Sequence, residues 1–395
     1  MRVGIFIPDM KPDMGGASSL SSTIREEILL SEDIKDVEFI LLYCGGLFRC
    51  YETVVGGYRY LNISRISVFQ KVAMFSMRII FGFMIPDKRL NRIGKKESID
   101  LFWLPTPVLF DMKYPYIYTV WDLGHRQTPW FPEVSRSGWL WEDRERMYQS
   151  MLYKASFVIT GNEEGKKEIL ENYPIPPSKV RISRFPVTSF CRGEEERPDF
   201  LKDSPFFFYP AQFWPHKNHI VILDAVECLS GRYGEKVCVY LTGSDKGNRC
   251  YIEDEIKKRN LGEQVKITGF VSDKELKYLY THAVAMIFAS LMGPNNMPPI
   301  EATYLRCPVI ITDLDGHKEQ LGDTALYFNG YRPEELAEHM HRLMADPVFR
   351  ETVISKEAEL ARQFDNINYF SEIKKIIREF SLIRRIWGSD YVHPR

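Results

Sequence analysis

The chain carries almost no excess charge, with 52 Lys and Arg against 53 Asp and Glu and a formal net charge of -1. That balance argues against a dedicated nucleic-acid binder, which needs a basic surface to meet phosphates. No apolar run approaches the ~18 residues that a membrane-spanning helix requires. No internal repeat or low-complexity segment stands out. The seven cysteines, at 44, 50, 191, 228, 238, 250 and 307, are odd in number, and no two stand in C-x-x-C spacing. A zinc ribbon or a redox pair is therefore not expected, and the cysteines read as mostly buried free thiols in a reducing cytosol. No clear Asp-x-Asp pair sits at a strand end, so no divalent metal and no cofactor are expected. Residues 1–8 read as a strand, without the long apolar core of a signal peptide.

What remains is a globular composition, 45% hydrophobic and 27% charged, over 395 residues. That length suits two domains better than one core. Strand and helix patterns alternate along it, predicting an α/β fold. In the first half, strands are expected at 3–8, 38–43, 99–104, 116–121, 157–160 and 180–182, with helices at 17–30, 139–153 and 163–172. Residues 191–204 hold charge, Gly193 and Pro198 without apolar periodicity, and read as a linker. A second α/β pattern follows, with strands at 205–209, 237–241, 265–267, 283–291, 308–312 and 325–328. Ser272 and Glu275 stand at capping-box spacing and predict a helix start. A last amphipathic helix is expected over 366–387.

The loops at the strand ends carry the chemistry, because open α/β sheets bind ligands outside the carboxyl ends of their strands. Gly15 and Gly16 lie between the first strand and a helix that opens with Ser18 and Ser19, which is either a ligand loop or only a turn. Asp122, His125 and Arg126 follow the strand at 116–121, and the Asp and His would orient and deprotonate a hydroxyl. The plainer account of His125 is a structural hydrogen bond. In the second half, Gln212 and Lys217 sit at a strand-to-helix junction, where the ammonium would meet phosphate oxygens. Gly243 and Ser244 end the next strand. The segment Gly293-Pro294-Asn295-Asn296-Met297-Pro298-Pro299-Ile300-Glu301-Ala302 joins a buried strand to a helix whose first turn tolerates proline. Its free N–H groups suit a diphosphate, and the Glu301 carboxylate would hold the vicinal hydroxyls of a ribose. The alternative for Glu301 is mere complementing of the helix dipole. Residues 71–96 interleave Lys71, Arg78, Lys88, Arg89, Arg92, Lys95 and Lys96 with large apolar side chains. They read either as an anionic-membrane contact or as a helix with a solvated basic end.

Taken in order, these segments make the chain resemble a family 4 glycosyltransferase of the retaining, bacterial polysaccharide type. The resemblance rests on the Gly15-Gly16 loop, on Trp121-Asp122-Leu123-Gly124-His125 through Pro132-Glu133, and on Pro210-Ala211-Gln212-Phe213-Trp214-Pro215-His216-Lys217-Asn218-His219. It rests further on Thr242-Gly243-Ser244-Asp245-Lys246-Gly247-Asn248, and on Pro294 to Ala302 with Cys307-Pro308-Val309-Ile310 behind it. It implies a GT-B architecture: two Rossmann-like domains facing across a cleft, at 1–190 and 205–365, with the linker at 191–204 and 366–395 crossing back to the first domain. It implies a metal-independent transfer of a hexose-type sugar from a nucleotide diphosphate sugar to a hydroxyl of a glycan or lipid-linked glycan. The alternatives are a nucleotide-sugar epimerase or phosphorylase of the same architecture, and a non-catalytic pseudo-transferase. The implied catalytic residues are Asp122, His125, Lys217 and Glu301. The donor would be bound by Gly15, Gly16, Gln212, Lys217, Gly243, Ser244, Phe270, Val271, Asn295, Asn296, Met297 and Glu301. Gln212 stands where relatives often have Arg, and Gly293 where they commonly have a Glu that helps hold the donor sugar. Asn295, Asn296 and backbone amides are expected to take over that contact. The expected location is the cytoplasm, with 71–96 at the inner face of the membrane.

Overall fold

The computed structural model describes residues 1–8, 10, 15–31, 34, 36–44, 52–63, 87–136, 138–365 and 367–388. Residues 71–86 of the basic, apolar stretch lie outside these. Its basic end forms the helix Arg89–Glu97, which buries Leu90 and Ile93. No helix among the described residues is long and apolar enough to cross a membrane.

Two sheets carry the fold. The first contains β1 (Arg2–Phe6), β2 (Glu38–Tyr43), β3 (Glu52–Val55), β4 (Tyr58–Asn62), β5 (Leu101–Leu104), β6 (Tyr116–Thr119), β7 (Phe157–Thr160) and β8 (Val180–Ile182), in the order β3-β4-β2-β1-β5-β6-β7-β8. The second contains β9 (Phe206–Pro210), β10 (Cys238–Thr242), β11 (Val265–Gly269), β12 (Ala285–Phe288), β13 (Val309–Thr312) and β14 (Leu326–Phe328), in the order β11-β10-β9-β12-β13-β14. Every pairing is parallel except β3 with β4. Central strands such as β5, β7, β12 and β13 are buried at every position. Helices cover both faces, which is why these strands read as unbroken apolar runs rather than alternating ones.

The hairpin β3–β4 is absent from the expectations above. Its two-residue turn is Gly56-Gly57, both at positive φ, as a tight hairpin with right-handed strand twist requires. The exposed β3 has no apolar run to betray it.

The last helix, Tyr369–Arg384, returns to the first domain, where Tyr369, Phe370, Ile373, Ile376, Ile377 and Phe380 join the core beside β1, β2 and β5. Phe370 stacks on Trp103 with ring centroids 5.8 Å apart. Both helix ends are tied down: Phe370 N donates to Glu27 at 2.9 Å, and Arg384 Nε donates to Asp100 at 2.6 Å. The expected crossing-back of the C-terminal segment is therefore present.

Strand order reverses direction between β1 and β5 in one sheet and between β9 and β12 in the other. The crevice outside the carboxyl ends of such strands is where doubly wound sheets bind ligands. The two crevices face each other.

Candidate active site

Between the sheets lies a cleft of about 620 Å³ lined by both domains. The first domain contributes Gly15, Gly16, Ser18, Ser19, Trp121, Asp122 and Glu133 to its wall. The second contributes Gln212, Lys217, Gly243, Ser244, Phe270, Val271, Asn295, Asn296, Met297 and Glu301. Of the positions expected at the site, only His125 is missing from the wall.

Gly15 stands at φ 65 and opens the 15-residue helix Gly16–Leu30. Its carbonyl accepts from Ser18 N and Ser19 N, at 2.8 and 3.2 Å. A Cβ on Gly15 would come within 3.1 Å of the Gln212 side chain, so the two domains touch where the helix end points into the cleft. Gln212 is oriented by two bonds: its Nε2 donates to Ser244 Oγ and its Oε1 accepts from Trp214 Nε1, both at 3.1 Å.

Gly243 has φ 153, and a Cβ there would run into the backbone of Ala211 and Gln212. The loops after β9 and β10 pack together only because this position has no side chain. Gly243→Ala is expected to lower stability by about 2 kcal/mol or more, through strain and displaced backbone. Denaturant unfolding checks this, and a variant as stable as wild type would contradict the packing described.

Lys217 ends the short 3-10 turn Pro215–Lys217 after β9. Its Nζ donates to Ser290 Oγ at 3.3 Å and sits 4.9 Å from the centroid of the Phe288 ring. Among the described residues the ammonium has no ion-pair partner. Burial pushes its pKa down to about 8, against the pull of Asp122 and Glu133 across the cleft.

Glu301 lies in the helix Met297–Tyr304 and is 4% exposed. Thr188 Oγ1 donates to Oε1, and Tyr280 OH donates to Oε2 at 2.8 Å. A carboxylate has about four lone-pair sites, so two stay open to a diol. Burial raises its pKa to about 7, with Thr188 and Tyr280 opposing.

The turn before that helix is rebuilt around asparagine. Gly293 has φ 108, a conformation that side-chain-bearing residues rarely adopt. A Cβ there would press on the Asn296 side chain at 3.0 Å. Asn296 Nδ2 donates to Gly293 O at 3.2 Å and lies 3.0 Å from His317 Nε2. Asn296 N donates to Gln320 Oε1 at 3.1 Å, and Gln320 also bonds the Asn295 side chain. A glutamate at 293 would need a different backbone. Phe270 stands 58% exposed at the rim, with Val271 beside it on the wall.

Asp122 Oδ1 accepts from Gly124 N at 2.8 Å and lies 3.4 Å from Arg144 Nη1. His125 needs correcting. The single turn Gly124–Gln127 carries its ring away from the cleft into the first domain, where it is fully buried. Its Nε2 lies 3.1 Å from Glu145 Oε2, and its ring stacks on Tyr148 at 5.5 Å. Burial lowers its pKa, against the bond to Glu145, and the ring is not part of the cleft wall.

Two groups in the site have no role assigned from the sequence. Thr188, in the crossing between the domains, bonds Glu301. Glu133 lines the cleft and reaches His216 of the other domain at 2.5 Å. The domains are further joined by Asn162 Nδ2 donating to Pro294 O at 2.6 Å, and by Glu163 N and Glu164 N donating to Glu319 at 2.7 and 2.8 Å.

Residues 193–360 match the family described as Glycosyl transferases group 1. The second domain is a group 1 glycosyl transferase domain. All the second-domain wall residues named above fall inside the match, whereas Gly15, Gly16, Asp122 and Glu133 lie outside it. The chain is 23% identical to an alpha-D-kanosaminyltransferase of Streptomyces kanamyceticus, over 66% of this chain and 68% of that protein. Other curated relatives are matched over 17% to 64% of their length. Among solved structures, sucrose-phosphate synthase of Thermosynechococcus elongatus superposes with a TM-score of 0.72 at 16% identity, covering 97% of this chain and 99% of that one. Anabaena HepE in complex with UDP and glucose superposes at 0.67 and 14% identity, covering 96% and 100%. These likenesses span both sheets and identify the fold as GT-B, as expected. The group 1 domain thus supplies one wall of a two-domain cleft.

Proposed function

We propose that the chain is a retaining glycosyltransferase moving a hexose-type sugar from a nucleotide diphosphate sugar to a hydroxyl of a glycan or lipid-linked glycan. The observation that carries this reading is Lys217: an ammonium without an ion pair among the described residues, at the second sheet's switch point, in a cleft that also holds a buried Glu301 carboxylate. The first suits a diphosphate and the second a ribose diol. The solved neighbour that holds UDP and glucose has the same fold, which supports a donor of that class.

In this reading the bond from the sugar's anomeric carbon to the β-phosphate oxygen breaks, and one to the acceptor oxygen forms on the same face. Negative charge grows on the leaving diphosphate as the bond lengthens. Lys217, the Met297 N–H at the start of Met297–Tyr304, where Pro298 and Pro299 have none, and the backbone near Gly16 would stabilise it, and interactions that strengthen in the transition state are the ones that accelerate the step. The acceptor proton goes to the departing phosphate oxygen. Asp122, on the opposite wall, orients the acceptor hydroxyl. Asn295 and Asn296 hold the transferred sugar from the turn whose backbone excludes a glutamate at 293. Two domains meeting over the cleft keep water from the anomeric carbon.

The test is transfer of labelled sugar from UDP-, GDP-, ADP- and dTDP-sugars to lipid-linked glycan acceptors, with product configuration read by NMR. One donor should give a product that keeps its anomeric configuration. An inverted product would overturn retention, and epimerised donor without transfer would overturn the transferase reading.

A further inference from the structure

We propose that Glu133 is a positioning residue for Lys217: from the first domain its carboxylate fixes the loop that presents the ammonium and keeps that ammonium charged when the domains are together. The inference rests on the reading of Lys217 as the partner of the donor diphosphate.

Glu133 sits in the short helix Pro132–Ser135 and is 5% exposed. Its Oε1 accepts from His216 backbone N at 3.2 Å and lies 2.5 Å from His216 Nδ1. Its Oε2 is buried with no hydrogen-bond partner among the described residues. His216 immediately precedes Lys217 in the same 3-10 turn. One first-domain side chain therefore grips the turn that sets where Lys217 points. Phe131, two residues before Glu133, packs edge-on against the His216 ring at 6.1 Å.

A half-satisfied buried carboxylate is costly unless a charge answers it. His216 is not that charge, since burial pushes its pKa down to about 4. The imidazole is neutral and donates from Nδ1 to the carboxylate. Burial pushes the Glu133 carboxyl up, but the His216 bonds outweigh it and leave it below its ordinary value, hence ionised. The negative charge is left to act on Lys217. The titratable groups that face Lys217 are Asp122 and Glu133 from the first domain and the imidazoles of His216, His219 and His317 from the second. All three imidazoles are neutral near pH 7, because burial pushes them down to about 4, 3 and 4. Both carboxylates come from the opposite domain. Opening the cleft withdraws them, so the diphosphate site is electrostatically complete only when closed.

The test uses the full chain with ¹³C-labelled lysine, following the Lys217 resonance by NMR, assigned with Lys217→Arg, across a pH titration. Wild type should titrate near pH 8, and Glu133→Gln about one pH unit lower. Glu133→Asp keeps the charge but shortens the reach. Its Lys217 should titrate close to wild type while kcat for transfer falls and KM for the donor changes little. Should Glu133→Gln fold poorly, Glu133→Ser carries the same titration. An unmoved Lys217 titration in the uncharged variant overturns the inference. Wild-type nucleotide affinity in Lys217→Ala would instead overturn the role given to Lys217, so the two failures are distinct.

Discussion

Lys217→Ala lowers kcat/KM for sugar transfer by about 100- to 1,000-fold, the usual loss when one preorganised group is removed from a developing negative charge. The expectation follows from placement. The ammonium stands at the carboxyl end of β9, bonded to Ser290 and beside the Phe288 ring, and the imidazoles that face it from its own domain are neutral. Nothing there competes with an incoming diphosphate. Glutamine or alanine at 217 removes the charge, whereas arginine keeps it on a larger planar fork in place of a compact ammonium, so Lys217→Arg falls short of full rescue. Because burial holds this lysine near 8, wild-type kcat/KM falls as pH rises through about 8, as the ammonium deprotonates. Steady-state kinetics across pH checks both statements. A Lys217→Ala enzyme within a few-fold of wild type would remove this lysine from the mechanism.

Glu301→Gln has two expected consequences of opposite sign. The first concerns stability. The folded pKa of Glu301, about 7, is raised above its ordinary 4.5 by burial. A carboxyl raised in the folded state contributes stability that is full below pH 4.5 and is lost as pH rises through 7. The loss is roughly 3 kcal/mol for this shift. Glutamine has no such titration, so melting temperature falls less between pH 5 and pH 8 in Glu301→Gln than in wild type. Glu168, raised by burial to about 8, adds to the wild-type slope and is common to both proteins. The second consequence concerns function. An amide offers one oxygen where the carboxylate offers two, and Thr188 and Tyr280 already claim both. Donor affinity at pH 8 should drop about 10-fold or more, as when a hydrogen bond to a charged group is lost. Thermal unfolding at the two pH values, with nucleotide titration at the higher, reads both. Parallel melting curves would contradict the buried-acid account, and unchanged affinity would take the ribose away from Glu301.

Much of this site is legible in the amino-acid sequence, for a physical reason. Parallel strands covered on both faces must be apolar throughout, so β5, β7, β12 and β13 announce themselves, and their carboxyl ends point to the loops that matter. Gly243 marks a close approach of backbone and Gly15 one of the Gln212 side chain, whereas Gly16 stands in open space. What is not legible depends on directions that a one-dimensional pattern does not carry. In sequence His125 stands poised beside Asp122, but only Asp122 lines the cleft, and Glu145 and Tyr148, from a later helix, claim the imidazole. Thr188 has no motif around it and matters only because the crossing between domains passes Glu301. Glu133 is visible within the Pro132-Glu133 segment, yet its partner His216 stands 83 residues on. The hairpin β3–β4 escapes because a short exposed strand shows no apolar run, although Gly56-Gly57 is a usable signal. Gly293 looks like a missing glutamate, whereas its left-handed backbone makes it the pivot of an asparagine-built turn.

The most direct test of the account is calorimetric titration of the full chain and of Lys217→Ala with UDP, GDP, ADP and dTDP. The account predicts that one nucleoside diphosphate binds the wild type with clear preference, and that its affinity collapses in the variant. Binding of none of the four, or equal binding by wild type and variant, would contradict a diphosphate site at Lys217.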